Sequence, residues 1–178
     1  MLAKLVIVVA LCKTVHAQPS LTDPLPPPTP AAPMVAPVGV TLELAMGPGA
    51  IRGGETSITG LGLSGGFGYF VSPHVALGLR VSGIDRGGYT GMAGPHLQVW
   101  LGDDVFVGVG GGIGFYALCD VVFGCASEAA AAGTARIGLV ATRIGFTRLS
   151  VSFEVTAMEP KSTGWMETYS FMVGGQTF

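Results

Sequence analysis

Charge is scarce in this sequence. Only 11% of its residues are Asp, Glu, Lys or Arg, against about a quarter in an ordinary soluble domain. Long apolar runs are missing too. Although 49% of the chain is hydrophobic, no stretch reaches the ~18 consecutive apolar residues that a transmembrane helix requires. Histidine and cysteine number three each, too few and too scattered to suggest a metal centre or a cofactor. The net charge of −2 offers no basic surface for nucleic acid.

What the chain has is glycine, 29 of them. One cluster, VFVGVGGGIGFYA at 105–117, nearly matches a nucleotide-binding fingerprint, with Gly112, Gly114 and Ala117 fitting G-x-G-x-x-A. That motif works only where the glycines open a helix and an acidic residue follows about 20 positions later to hold a ribose. Here LCDVVFGC follows with no helical period, and the alanine-rich run beyond holds only Glu128. The glycines therefore need another explanation.

The first 17 residues read as an export signal: Lys4, an apolar core from Leu5 to Leu11, and a small-x-small site at Val15-His16-Ala17. A lipoprotein signal with Cys12 as the lipidated residue is the rival, and Leu11 before it fits poorly. Residues 18–37 carry eight prolines and read as an extended, disordered tether. Removal of the signal leaves Cys119 and Cys125, six residues apart. In an exported chain this pair is expected to oxidise, since a zinc site would need two further ligands and LCDVVFGC supplies no His.

From Val38 onward the period becomes two. Val38, Val40, Leu42, Leu44 and Met46 alternate with small or polar residues, and Leu61, Leu63, Phe67, Tyr69 and Val71 oppose glycines and Ser64. Val75, Leu77, Leu79 and Val81 repeat the pattern, as do Val105, Val107 and Val109 opposite Gly108 and Gly110. Further strands are expected at 92–101, where Pro95 interrupts, at 131–141, which begins in an alanine run, and at 144–157 and 165–178. That makes eight. Short links at 72–74, 102–104 and 142–143 alternate with long ones at about 48–57, 84–91, 116–128 and 158–164, as in a meander threaded through a bilayer.

The face opposite the aliphatic one is mostly Gly, Ala and Ser. It suits the crowded interior of a small closed barrel better than a solvated exterior, and leaves the aliphatic face to lipid. Aromatics near the short turns (Tyr69, Phe70, Trp100, Phe106, Phe146) and near the longer links (Tyr89, Phe115, Tyr116, Phe123, Trp165, Tyr169) would form two interfacial girdles. A soluble periplasmic β-barrel is the architectural rival.

With the signal, the alternating turns, FGYFVSPHVALGLRV and the terminal Phe178, the segment 38–178 resembles the small eight-stranded outer-membrane barrels of Gram-negative bacteria. It is similar to the transmembrane domain of outer-membrane protein A. The resemblance implies an all-β, antiparallel up-and-down transmembrane barrel, a monomer in outer-membrane lipid, with Phe178 ending a strand read by the barrel-assembly machinery. Tyr169, Phe171 and Val173 share one phase and Phe178 the other, so a bulge at Gly174-Gly175 is expected to restore the alternation.

Glu43, Arg80, Arg136, Arg148 and Glu154 are the expected lumen charges, with His96 and Gln98 beside them. In a narrow interior they should pair and plug it. The expected role is structural or loop-mediated interaction with an unidentified extracellular or periplasmic protein. The alternatives are a narrow ion or solute channel and a lipid-modifying enzyme; for the latter no nucleophile–base pattern or G-x-S-x-G elbow is present.

Overall fold

The computed structural model describes residues 39–120 and 124–178, with side chains of 118–126 left aside. The signal segment, Cys12, the Pro-rich tether and Phe123 lie outside the described residues. Eight strands follow in chain order: β1 (Gly39–Gly53), β2 (Thr56–Ser72), β3 (Val75–Asp85), β4 (Tyr89–Leu101), β5 (Val105–Asp120), β6 (Gly124–Ile144), β7 (Thr147–Met158) and β8 (Met166–Thr177). Each pairs antiparallel with its sequence neighbours, and β1 pairs with β8 to close the barrel. Closure satisfies both edges, so the backbone can cross a lipid phase without unpaired donors at a sheet margin.

The strands run further than their apolar alternation. Segments expected as long links at 48–57 and 84–91 are mostly paired, leaving turns of Gly54-Glu55 and Arg86 to Gly88. The 116–128 link is likewise a hairpin paired as far as Asp120 and Gly124. Among the described residues only 159–165 remains a longer loop. The period-two signal fades there because the outward face is no longer aliphatic, although inward residues such as Ile51 and Ile84 stay buried, and backbone pairing does not need an apolar face. At the other end, Thr142 and Arg143 belong to β6, and the turn comes at Gly145-Phe146. Gly145 has φ 57°, a left-handed backbone that only glycine adopts cheaply.

The alanine run and Pro95, two irregularities in the strand pattern, both lie within strands. The alanine run 129–132 is strand throughout, paired with β5. Pro95 stays inside β4, opposite Leu79 of β3. Its missing N–H shows only toward β5, where the register skips from Ala93 to His96. Pro48 does the same in β1, whose register with β8 skips from Met46 to Gly49.

Burial alternates as the sequence pattern requires. Leu42, Leu44, Phe67, Leu79, Ile113, Leu139 and Val173 are all more than half exposed and point away from the lumen. No water-soluble monomer displays a continuous aliphatic belt of this kind, and the belt is what a bilayer-spanning barrel presents to lipid. The soluble-barrel alternative is set aside on that ground.

Candidate functional site: the filled lumen and its external mouth

The inward side chains form three layers. Nearest the periplasmic turns, Phe70, Trp100 and Phe106 are buried at 1%, 3% and 1% exposure and pack with Ala76, Val140 and Phe178. Phe70, Trp100 and Phe106 are therefore a basal plug, not part of a lipid-facing girdle. Tyr69 and Phe146 do face outward, as does Trp165 at the other end. Tyr116 faces inward, against the apolar layer near the external mouth.

No bulge occurs in β8. Its buried positions keep one phase, Met166, Thr168, Ser170, Met172 and Gln176, and its register with β7 is continuous through Gly174 and Gly175. Phe178 consequently keeps the inward phase. Its ring lies 5.2 Å from Phe70 and 6.3 Å from Trp100, and its amide donates to the Phe146 carbonyl at 3.1 Å. The terminal aromatic belongs to the plug.

The middle layer is charged. Glu43, Arg80, Arg136 and Glu154 are each under 10% exposed. Arg80 Nη1 donates to Glu43 Oε2 at 2.9 Å, Nη2 to Glu154 Oε2 at 2.7 Å and to Ser64 at 2.7 Å, and Nε to Glu154 at 3.1 Å. Arg136 pairs with the other oxygen of Glu43 and donates to Ser152 at 3.2 Å. The bridges run across the lumen, β3 to β7 and β6 to β1, although Arg136 and Glu154 are register neighbours in the wall. Gly66 stands between Glu43 and Arg80 in the wall. Gln98 donates to Gln176 at 3.0 Å, and Gln176 to Thr41 at 3.1 Å, just below. A small void of about 30 Å³ lies beside Glu43, Arg80, His96, Gln98 and Gln176.

Arg148 departs from the pairing expectation. Among the described residues it has no carboxylate partner. Its guanidinium lies between Trp100 at 4.3 Å and Phe178 at 4.2 Å, an arrangement that stabilises a cation through ring quadrupoles. Arg136 sits likewise over Phe106 at 4.6 Å. Phe106 can lie there only because Gly138 faces it: an added Cβ would come within 2.1 Å of the ring.

The uppermost layer is apolar again. Ile51, Ile84, Met158 and Met166 pack together, with Tyr116 and Ala132 against them. Above, Glu128 accepts hydrogen bonds from the Lys161 amide, from the Ser162 amide at 3.1 Å and from the Ser162 hydroxyl, holding the β7–β8 loop. These external groups carried no sequence signal beyond their place in links. Cys119 and Cys125 face each other directly in the β5–β6 register; their side chains are outside the description.

Among the described residues no three His, Cys, Asp or Glu side chains converge on a metal position. His74 lies in a periplasmic turn and His96 in the lumen wall, with His96 Nε2 making no hydrogen bond to protein.

No protein-family model matches the chain, and no curated protein sequence does. Solved structures do. The fold is similar to Neisserial surface protein A, at TM-score 0.60 and 7% identity over 78% of this chain and 96% of that one. It is also similar to Ail, the attachment invasion locus protein of Yersinia pestis, in complex with a heparin analogue, at TM-score 0.53 and 14% identity over 78% and 99%. The fold is that of small eight-stranded bacterial outer-membrane barrels.

Proposed function

We propose that this chain is an outer-membrane barrel that does not conduct, and that its work is done by the strand extensions and loops on the external side. The observation that carries the reading is the cross-lumen brace: Arg80 and Arg136 bound to Glu43 and Glu154 between two apolar plugs. A permeant ion would have to break these buried pairs, which is costly in a low-dielectric interior. The lipid-facing belt and the fold likeness support the outer membrane as its location, where the barrel-insertion machinery would assemble it. The external hairpins, free of the lipid constraint, are where a partner would bind.

The reading is tested by conductance in planar bilayers. The wild-type protein should give no discrete current steps at moderate voltage. Reproducible steps whose size changes on Arg136→Met would replace it with the channel alternative.

A further inference from the structure

On the external side, β5 and β6 run on past the strands that flank them. The last pair between β4 and β5 in that direction is Thr90 with Tyr116, and the last between β6 and β7 is Ala132 with Met158. Beyond these, Ala117, Leu118, Cys119 and Asp120 pair with Ser127, Ala126, Cys125 and Gly124. Among the described residues these eight form a two-stranded ribbon with no third strand on either side.

An isolated two-stranded ribbon is marginal in water, and this one has little with which to hold itself. Cross-strand stabilisation comes chiefly from aromatic, β-branched or opposite-charge pairs, and none of its pairs is of those kinds. Glu128 ties β6 to the β7–β8 loop at the base of the ribbon. Beyond that point, the pair able to form a covalent link is Cys119 with Cys125. Directly opposed residues of an antiparallel pair have Cα atoms about 4.5 or 5.5 Å apart. Either spacing falls within the ~4.4–6.8 Å that a disulfide spans. The register thus supplies what proximity along the chain alone does not, a matched pair of positions across one ladder.

We infer that Cys119 and Cys125 are joined by a cross-strand disulfide, and that this bond, not packing, keeps the ribbon paired. Each thiol gives up one proton and one electron, so the pair needs a two-electron acceptor. Outside the cytosol a protein disulfide oxidant supplies it by exchange. One thiolate attacks the oxidant's disulfide to form a mixed disulfide; the second attacks that bond, and the oxidant leaves as a dithiol. The staple acts on the ribbon alone, because the barrel has its own closed ladder and lumen braces. The inference stands without the proposed external role, since a conducting barrel would carry the same bond.

The first test uses the full chain taken from the membrane fraction without reductant, denatured in iodoacetamide and digested with chymotrypsin. That protease cleaves after Phe123, between the two cysteines. The fragments carrying Cys119 and Cys125 should stay joined and unlabelled until a reductant separates them. Label on either cysteine of the unreduced protein, or a bond joining two chains, would overturn the assignment. The second test follows amide hydrogen exchange of the folded barrel in lipid nanodiscs. Reduction, and separately the double variant Cys119→Ser with Cys125→Ser, should speed exchange at the hydrogen-bonded amides within 117–120 and 124–127 about tenfold or more. The wall pair Val107 and Ile137 should stay protected. Unchanged exchange in the ribbon would show that something other than the bond holds it. Faster exchange at Val107 and Ile137 would assign the bond to the barrel's stability instead. Discrete conductance, which would defeat the proposed function, has no bearing on either readout.

Discussion

Arg80 is the residue on which most of the interior depends. It holds Glu154 by two bonds and Glu43 by one, and Glu43 retains Arg136 if Arg80 is lost. Glu154 has no second hydrogen-bonded cation among the described residues, only the field of its wall neighbour Arg136. Arg80→Met should therefore destabilise the barrel by about 3–5 kcal/mol, the usual cost of stranding a buried charge, read as a lower urea midpoint in lipid vesicles. Adding Glu154→Gln should restore much of that loss, because the orphaned charge goes with it. A double variant no more stable than Arg80→Met alone would show that the bridge is not what Arg80 contributes. At this scale the sequence was partly legible. A charge standing in the glycine-rich phase of a strand has to face inward, which marks Glu43, Arg80, Arg136 and Glu154. Their partners were not legible, because the pairs span the lumen and period two says nothing about strands that do not touch. Ile51 and Ile84 were missed for another reason: both fall in segments expected as links, where the outward face is no longer aliphatic and the alternation is lost.

The strands and loops obey two regimes. Within the bilayer, lipid selects aliphatic side chains on one face and the lumen selects small or paired ones on the other, so the elements announce themselves. Outside, only backbone pairing and local polar contacts remain, and the β1–β2, β3–β4 and β5–β6 links prove to be hairpins. The β7–β8 loop is fixed by Glu128. The Ser162 hydroxyl and amide and the Lys161 amide, all donating to its carboxylate, hold its pKa below the ordinary 4.5. The contribution to loop order is thus complete above that value and is lost as pH falls through the lower folded pKa. The Lys161 and Ser162 amide resonances should hold steady from neutral pH to near 5, then move together toward unbonded values in more acid solution. Glu128→Gln should remove that transition, and a transition that survives in the variant would assign the loop's order to another group. Phe178 makes the same point about elements: its phase was readable, but the bulge invoked to turn it outward was unnecessary, because a basal aromatic plug gives an inward terminal ring a place to sit.

For the whole molecule, the closed eight-strand order, the lipid-facing belt and the glycine-lined interior are one solution to one problem. A chain with little charge and no spanning helix can cross a membrane only by satisfying every backbone group between strands. The near-nucleotide motif at 105–117 finds its meaning here: Gly108 and Gly114 lie on the inner side of β5, opposite Gln98 and Met92, where larger side chains would crowd the lumen. The most direct measurement of this account is electrophoretic migration of the folded protein from the membrane fraction in mild detergent, unboiled beside boiled. A closed, internally braced barrel should resist the detergent and run faster unboiled, shifting to its full apparent mass only after heating. Identical migration in both lanes, with the protein recovered in the soluble periplasmic fraction, would contradict it.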